Sequence, residues 1–176
     1  GVAFIMDTYY GFKLPKAMHR EFANVIQAIS EKQGEVSPEQ IMKSFRETYL
    51  DRKEPLHFRR LQVEDLSGLS NSEFDTKVQV EYTDKGVEKS FEAVGNGPID
   101  AVQRGLNREL GSNMKVLDYE EHALQSGANS QAAAYIHLLD GNTGEVTFGV
   151  GVSSNITRAC VRALFSAINR LRPGGC

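Results

Sequence analysis

The sequence predicts an α+β chain: a short helical front, then two copies of a βββα unit. Three observations predict it. The first fifty residues carry apolar residues at helical spacing, whereas residues 59–95 alternate apolar and polar as half-buried strands do. The order of three strands and a helix then runs through twice. The two helices also echo each other, "AVQRGL" (101–106) lying over "ACVRAL" (159–164), 58 residues apart.

"GVAFIM" is a short apolar segment of undetermined type. In "LPKAMHREFANVIQAISEK", Met18, Phe22, Val25, Ile26 and Ile29 share one helical face, and Pro15 sits where a first turn tolerates proline. A second helix over 38–50 starts at an N-cap Ser37, with Pro38 at its first position and Gln40 completing a capping box. Ile41, Phe45 and Tyr49 line its face. This front, residues 1–54, is too small to stand alone. "DRKEPLHF" reads as a linker.

Residues 55–172 hold the two units, about 59–111 and 115–171. In the first, Phe74, Thr76, Val78, Val80 and Tyr82 share a strand face, and Asp84-Lys85-Gly86 predicts a tight hairpin. A helix follows from Pro98 to Leu110. In the second, "KVLDYEEHALQS", "SQAAAYIHLLD" and "EVTFGVGV" read as strands, "GNTG" as a turn and "SNITRACVRALFSAINRL" as a helix. The strand before each helix carries a Phe and ends in a glycine, at Phe91/Gly95 and Phe148/Gly151. Such units form one sheet layer covered by two helices, or trade faces across a dimer. One irregular α+β domain with chance similarity is the alternative.

The composition removes several function classes. Net charge is −3 and the pI about 5.8, with no Lys/Arg stripe, which argues against a nucleic-acid partner. The longest apolar runs fall far short of the ~20 residues of a membrane span. Cys160 and Cys176 make no disulfide framework, so a reducing cytoplasm is expected. No signal peptide is visible, and the chain, starting Gly1-Val2 without Met, reads as a piece of a longer protein. His19, His57, His122 and His137 show no metal-ligand spacing, so no metal or cofactor is expected here. Asp118, Glu120 and Glu121, beside Tyr119, read as a solvated strand face rather than an acid/base pair.

The stretch "VGNGPIDAVQRGL" opens a helix from a Gly-rich turn. It lacks the lysine and hydroxyl of a phosphate loop, and Asp100 stands where a dinucleotide fingerprint needs its third glycine. What remains is a helix start whose N–H groups favour one carboxylate, by about 0.3–2 kcal/mol. "GVSSNIT" offers a second start, with Val152, Ser154 and Ile156. Between them "GANSQAAAY" supplies small residues, Ala128, Ser130, Ala132, Ala133 and Ala134. Two helix starts around a small apolar hollow suit a free amino acid. On the residues alone, glycines that only make turns and alanines that only pack closely serve as well.

"GNGPIDA", "LDYEEHAL", "SQAAAYI" and "GVGVSSNITRACVRALFSAINRL", in this order, resemble the C-terminal regulatory domain of the 2-isopropylmalate synthase family. The front "GVAFIMDTYYGFKLPKAMHREFANVIQ" is similar to that family's linker subdomain, so the resemblance covers nearly the whole chain. It implies a homodimeric sensor of L-leucine attached to a catalytic TIM barrel in the same chain. That barrel would hold a divalent metal and condense acetyl-CoA with 2-oxoisovalerate. It also implies that Gly95, Gly97 and Asp100 hold the leucine carboxylate through backbone N–H groups. Ile99, Val116, Tyr119, Ala123, Ala132 and Val152 would line the side-chain pocket, with Ser130 and Ser154 at its rim. Asp100 and Ser154 depart from the family's pattern, where a small residue and a proline are expected. If only the N–H of Asp100 matters the site survives; if its side chain turns inward, anion binding weakens. A similar domain in citramalate synthase implies isoleucine instead, a difference of one repositioned methyl (~1–3 kcal/mol). A free-standing amino-acid-binding module and a small enzyme using residues 118–121 are the other readings.

Overall fold

The computed structural model describes residues 1–50, 52–69, 71–124 and 130–172. Ala128, Cys176 and most of the "RPGGC" tail therefore lie outside the described residues.

The front is helical throughout. "GVAFIM" belongs to helix α1 (Val2–Tyr10), which ends where the Gly11 N–H bonds back to Asp7 and Phe12 to Met6. Helix α2 (Lys16–Gln33) buries Met18, Phe22 and Ile26, with Pro15 one position earlier than expected, at the N-cap. Helix α3 (Pro38–Phe45) has the expected capping box: Ser37 Oγ accepts the Gln40 N–H (3.2 Å), and Gln40 Oε1 accepts the Ser37 N–H (2.8 Å). Its continuation, Arg46–Leu50, widens into a π-helical turn, so the helix expected over 38–50 changes pitch after Phe45 while keeping Tyr49 buried.

The first unit comprises β1 (Leu56–Asp65), β2 (Thr76–Asp84), β3 (Val87–Gly95) and α4 (Pro98–Leu110). The second comprises β4 (Met114–Leu124), β5 (Gln131–Asp140), β6 (Val146–Ser153) and α5 (Ile156–Leu171). Lys85 and Gly86 turn the β2–β3 hairpin with φ of 50° and 81°, the pair of positive values a two-residue turn of this twist needs. The strands do not merge into one layer. They form two antiparallel three-stranded sheets, β1-β2-β3 and β4-β5-β6, whose inner faces close on α4 and α5 around one apolar cluster.

The repeat is visible in an irregularity. The first strand of each sheet bulges at one residue, between Phe58 and Arg60 and between Val116 and Asp118. Those residues, Arg59 and Leu117, are 58 apart, the same offset as the helices. That offset corrects the Phe/Gly pairing expected from sequence. It aligns Phe91 with Gly149 and Gly95 with Ser153, and leaves Phe148 one residue out, hence on the opposite face. The partners compensate in size. In the first unit the large residue is on the strand: a Cβ on helical Gly105 would meet the Phe91 ring at under 3.0 Å. In the second the glycine is on the strand: a Cβ on Gly149 would meet the backbone of Ala163 and Ala167. The helix lies directly on β6 as a result.

The outer face of the second sheet is also apolar. Ala133, Tyr135, Phe148 and Val150 form one cluster with Met6, Met18, Phe22, Phe45 and Tyr49 of the front helices. Removing those helices would expose side chains worth about 1.5–3 kcal/mol each. Polar contacts fix the docking. Asn169, fully buried on α5, accepts the Leu56 N–H (3.0 Å) and donates to the carbonyls of Arg52 (2.6 Å) and Leu56 (2.8 Å). Ser166 donates to the Tyr49 carbonyl, and Arg170 pairs with Glu21 (2.7 Å) while lying over the Tyr49 ring. On β4, His122 Nε2 accepts the Lys13 N–H (3.1 Å) and faces the Tyr135 hydroxyl (2.8 Å). His137 stacks on Phe148 at 4.2 Å. Both histidines are thus joints of the packing.

Cys160 is buried on α5 with its thiol donating toward Glu121 (3.6 Å). Burial, then the Glu121 charge, pushes the thiol up to about 12. The reactive thiolate is therefore disfavoured at neutral pH. In a Cys176→Ser background, iodoacetamide is expected to label Cys160 only in denaturant. Labelling of the folded chain at the rate of a free thiol would contradict this burial. No helix among the described residues is long and apolar enough to cross a membrane.

Candidate functional site

The end of β3 and the start of α4 are shaped by two glycines. A Cβ on Gly95 would lie 2.6 Å from the Ala101 nitrogen, so only glycine lets α4 begin this close to the strand. Gly97 has φ 90° and ψ 164°, a conformation essentially confined to glycine. No side chain caps α4, and its ladder begins with the Ala101 N–H bonding to the Gly97 carbonyl (3.1 Å). The Ile99 and Asp100 N–H groups ahead of it form the positive end of the helix.

The loop's other amides are engaged by the chain itself. The Asn96 N–H donates to Asp100 Oδ2 (2.9 Å), and the Gly97 N–H to Asp75 Oδ1 (2.9 Å). Arg104 Nε also donates to Asp100 Oδ2 (2.9 Å) while its guanidinium covers the Phe74 ring. The Asp100 side chain therefore turns back onto the loop, the arrangement in which it competes with an incoming anion. Arg104 offsets part of that charge.

Opposite the helix start, β4 bulges at Leu117, and both Leu117 and Tyr119 are exposed. Gln103 Oε1 accepts the Val116 N–H (2.7 Å) and so ties α4 of the first unit to β4 of the second. Between them lies an open concavity of about 470 Å³, bounded by the 96–100 loop and Gln103 on one side and by Val116–Tyr119 on the other. Leu117 and Tyr119 are 49% and 52% exposed, so this chain alone leaves the apolar wall open.

Of the residues expected at the site, Gly97, Ile99, Asp100, Val116 and Tyr119 line this concavity, with Gly95 behind it. Ala123 and Ala132 face each other on the Tyr119 face of the sheet, four residues further along β4, or about 13 Å. Ser130 precedes β5 and is exposed, as is Ser154 beyond β6. Val152 pairs with Ala133 and points to the opposite face, against the front helices, because neighbouring strand residues alternate. The second helix start is closed by its own side chains: Asn155 caps α5 through the Arg158 N–H (2.9 Å), and Ser153 Oγ accepts the Asn155 N–H (3.2 Å). The two starts are not equivalent. Sequence reasoning missed Gln103 and Asp75; a polar side chain on the packed face of α4 was the available signal for the first.

The LeuA allosteric (dimerisation) domain model matches residues 35–172, from the capping box of α3 to the end of α5. The chain belongs to the LeuA allosteric (dimerisation) domain family. LeuA-domain relatives extend the similarity over the front helices. A 2-isopropylmalate synthase of Clostridium acetobutylicum is 37% identical over 171 residues, 97% of this chain and 30% of that protein. One from Mycobacterium leprae is 37% identical over 174 residues, 98% of this chain and 28% of that protein. One from Brucella suis is 34% identical, with 97% and 30% covered. The chain thus spans about a third or less of the length of the curated relatives it matches. Among the described residues of this LeuA domain, no three His, Cys, Asp or Glu side chains converge as a metal site.

Proposed function

We propose that this chain is the L-leucine sensor of a 2-isopropylmalate synthase, acting as a homodimer on a catalytic barrel elsewhere in the whole protein. Condensation of acetyl-CoA with 2-oxoisovalerate, and its divalent metal, would belong to that barrel, in the cytoplasm. One observation carries the reading: an uncapped helix start and an apolar wall face each other across one open concavity. The Ile99 and Asp100 N–H groups suit a carboxylate, and Ile99, Val116 and Tyr119 suit a branched aliphatic side chain. Leu117 and Tyr119, exposed beside it, are where a second copy would close the site.

Strand β4 links such binding to the front helices. Tyr119 and Ala123 share the face toward the concavity, while Asp118, Glu120 and His122 alternate onto the face that meets the front helices. Leucine shifts the enzyme only by its difference in affinity between two arrangements, typically ~1–3 kcal/mol. Ordering of the Gly95–Ile99 loop and tightening of the dimer would be passed to α2 and α3 through this strand. Hydrogen exchange on the whole enzyme tests the route: protection of the loop with no change in α2 and α3 would overturn it.

Calorimetric titration with L-leucine, L-isoleucine and L-valine tests the function. Selective leucine binding is expected. Isoleucine preference would assign the chain to citramalate synthase, and binding of none would remove the sensor reading from the isolated chain. Gly97→Asp should weaken leucine at least about tenfold (~1.4 kcal/mol) and leave turnover of the whole enzyme nearly intact. Its Cβ would meet nothing within 4 Å, but the positive φ strains any side chain. Gly97→Ala, strained but uncharged, isolates the charge: equal losses in both variants would contradict a carboxylate at this position.

A further inference from the structure

A second cavity, of about 260 Å³, lies beside β6, the edge strand of the second sheet, and draws on both the front and the repeated units. Arg52 and Lys53 reach it from the segment before β1, His57 from β1 and Arg162 from α5, with Arg46 of the π-helical turn alongside. Its apolar side chains are Leu50, Leu56, Phe58, Val152 and Phe165. No carboxylate lines it among the described residues, and within them Arg52, Lys53 and Arg162 form no ion pair. Arg162 Nη1 is anchored on the Val152 carbonyl (2.7 Å), which leaves the other guanidinium donors available.

The cations feel one another. Burial holds the His57 imidazole below its ordinary range, Arg59, Lys53 and Arg162 push it further down, and among the described residues Glu54 opposes them. Burial and the neighbouring Arg158 likewise lower Arg162. Like charges gathered over apolar walls leave a place that an anion with an apolar body would fill. The volume is below the ~300 Å³ at which drug-sized pockets begin, so the occupant is metabolite-sized.

We propose that this cavity binds a small organic dianion with an apolar body, at a site separate from the amino-acid concavity, and that the bound anion clamps the front helices to the second unit. Phosphate esters and dicarboxylates share this chemistry. Two probes separate them: phenyl phosphate and isopropylmalonate, titrated into this chain with inorganic phosphate as the comparator without a body. One of the two is expected to bind at about 1 mM or tighter, at least tenfold tighter than inorganic phosphate, and to move the His57 ring resonances toward the protonated form. The tighter probe assigns the class. Arg162→Gln and Lys53→Gln should each weaken it about tenfold while leaving leucine binding, read on the same samples, unchanged. Leucine binding and this site therefore fail independently. The proposal is overturned if neither probe moves the His57 resonances, if inorganic phosphate binds as tightly as both, or if the two variants bind as the parent does.

Discussion

Gly151→Val is expected to destabilise the chain by about 3 kcal/mol or more, beyond the usual cost of overpacking. The added Cβ would meet the Ala159 carbonyl, the Ala163 nitrogen and the Arg162 Cβ, all at under 3.0 Å. Two of these are helix backbone and cannot rotate away. Strand β6 and α5 would have to part along the core that holds both sheets together. Gly105→Ala is the informative comparison, because its obstacle is the Phe91 ring and the Ala93 methyl. Urea unfolding should show Gly105→Ala largely rescued by Phe91→Leu, and Gly151→Val not rescued by Arg162→Gly, which removes the Cβ in the way. Rescue of Gly151→Val by that second change would place the clash in a side chain and contradict the backbone contact.

Asn169→Leu should cost about 3 kcal/mol. It keeps the bulk but strands the Leu56 N–H and leaves the Arg52 and Leu56 carbonyls without their donor, each about 1–3 kcal/mol when buried and unpaired. The loss is local as well as global. Asn169 holds the segment that joins the front to β1, so trypsin should cut after Arg52 and Lys53 faster in the variant. Unchanged cleavage with lowered stability would show that the segment is held by the apolar contacts of Leu56 alone. An unchanged unfolding midpoint would remove Asn169 from the joint.

What the sequence revealed was local. The capping box at Ser37–Gln40, the face of α2 and the Lys85-Gly86 turn each depend on residues within a few positions, and each formed as expected. The repeat was legible through its helices, yet the Phe91/Phe148 equivalence was off by one. On strands buried on both sides, apolar residues give no alternation to set the face. Val152, expected at the pocket from the family resemblance, sits on the face toward the front helices. The loop carboxylates were hidden for another reason: Asp75 reaches Gly97 across 22 residues, and only the pairing of β2 with β3 brings them together. Asn169 and Gln103 did carry a signal, a polar residue in an otherwise packed helical face.

The compensated glycines make the two halves of the repeat complementary rather than interchangeable. A tandem of two first units would carry two open helix starts but no apolar outer sheet to seat the front helices. A tandem of two second units would seat them and have both helix starts capped shut. In this chain the first unit leaves its helix start without a side-chain cap and the second seats the front helices, and the opposite strand–helix size choices at Gly105 and Gly149 keep either unit from taking the other's place.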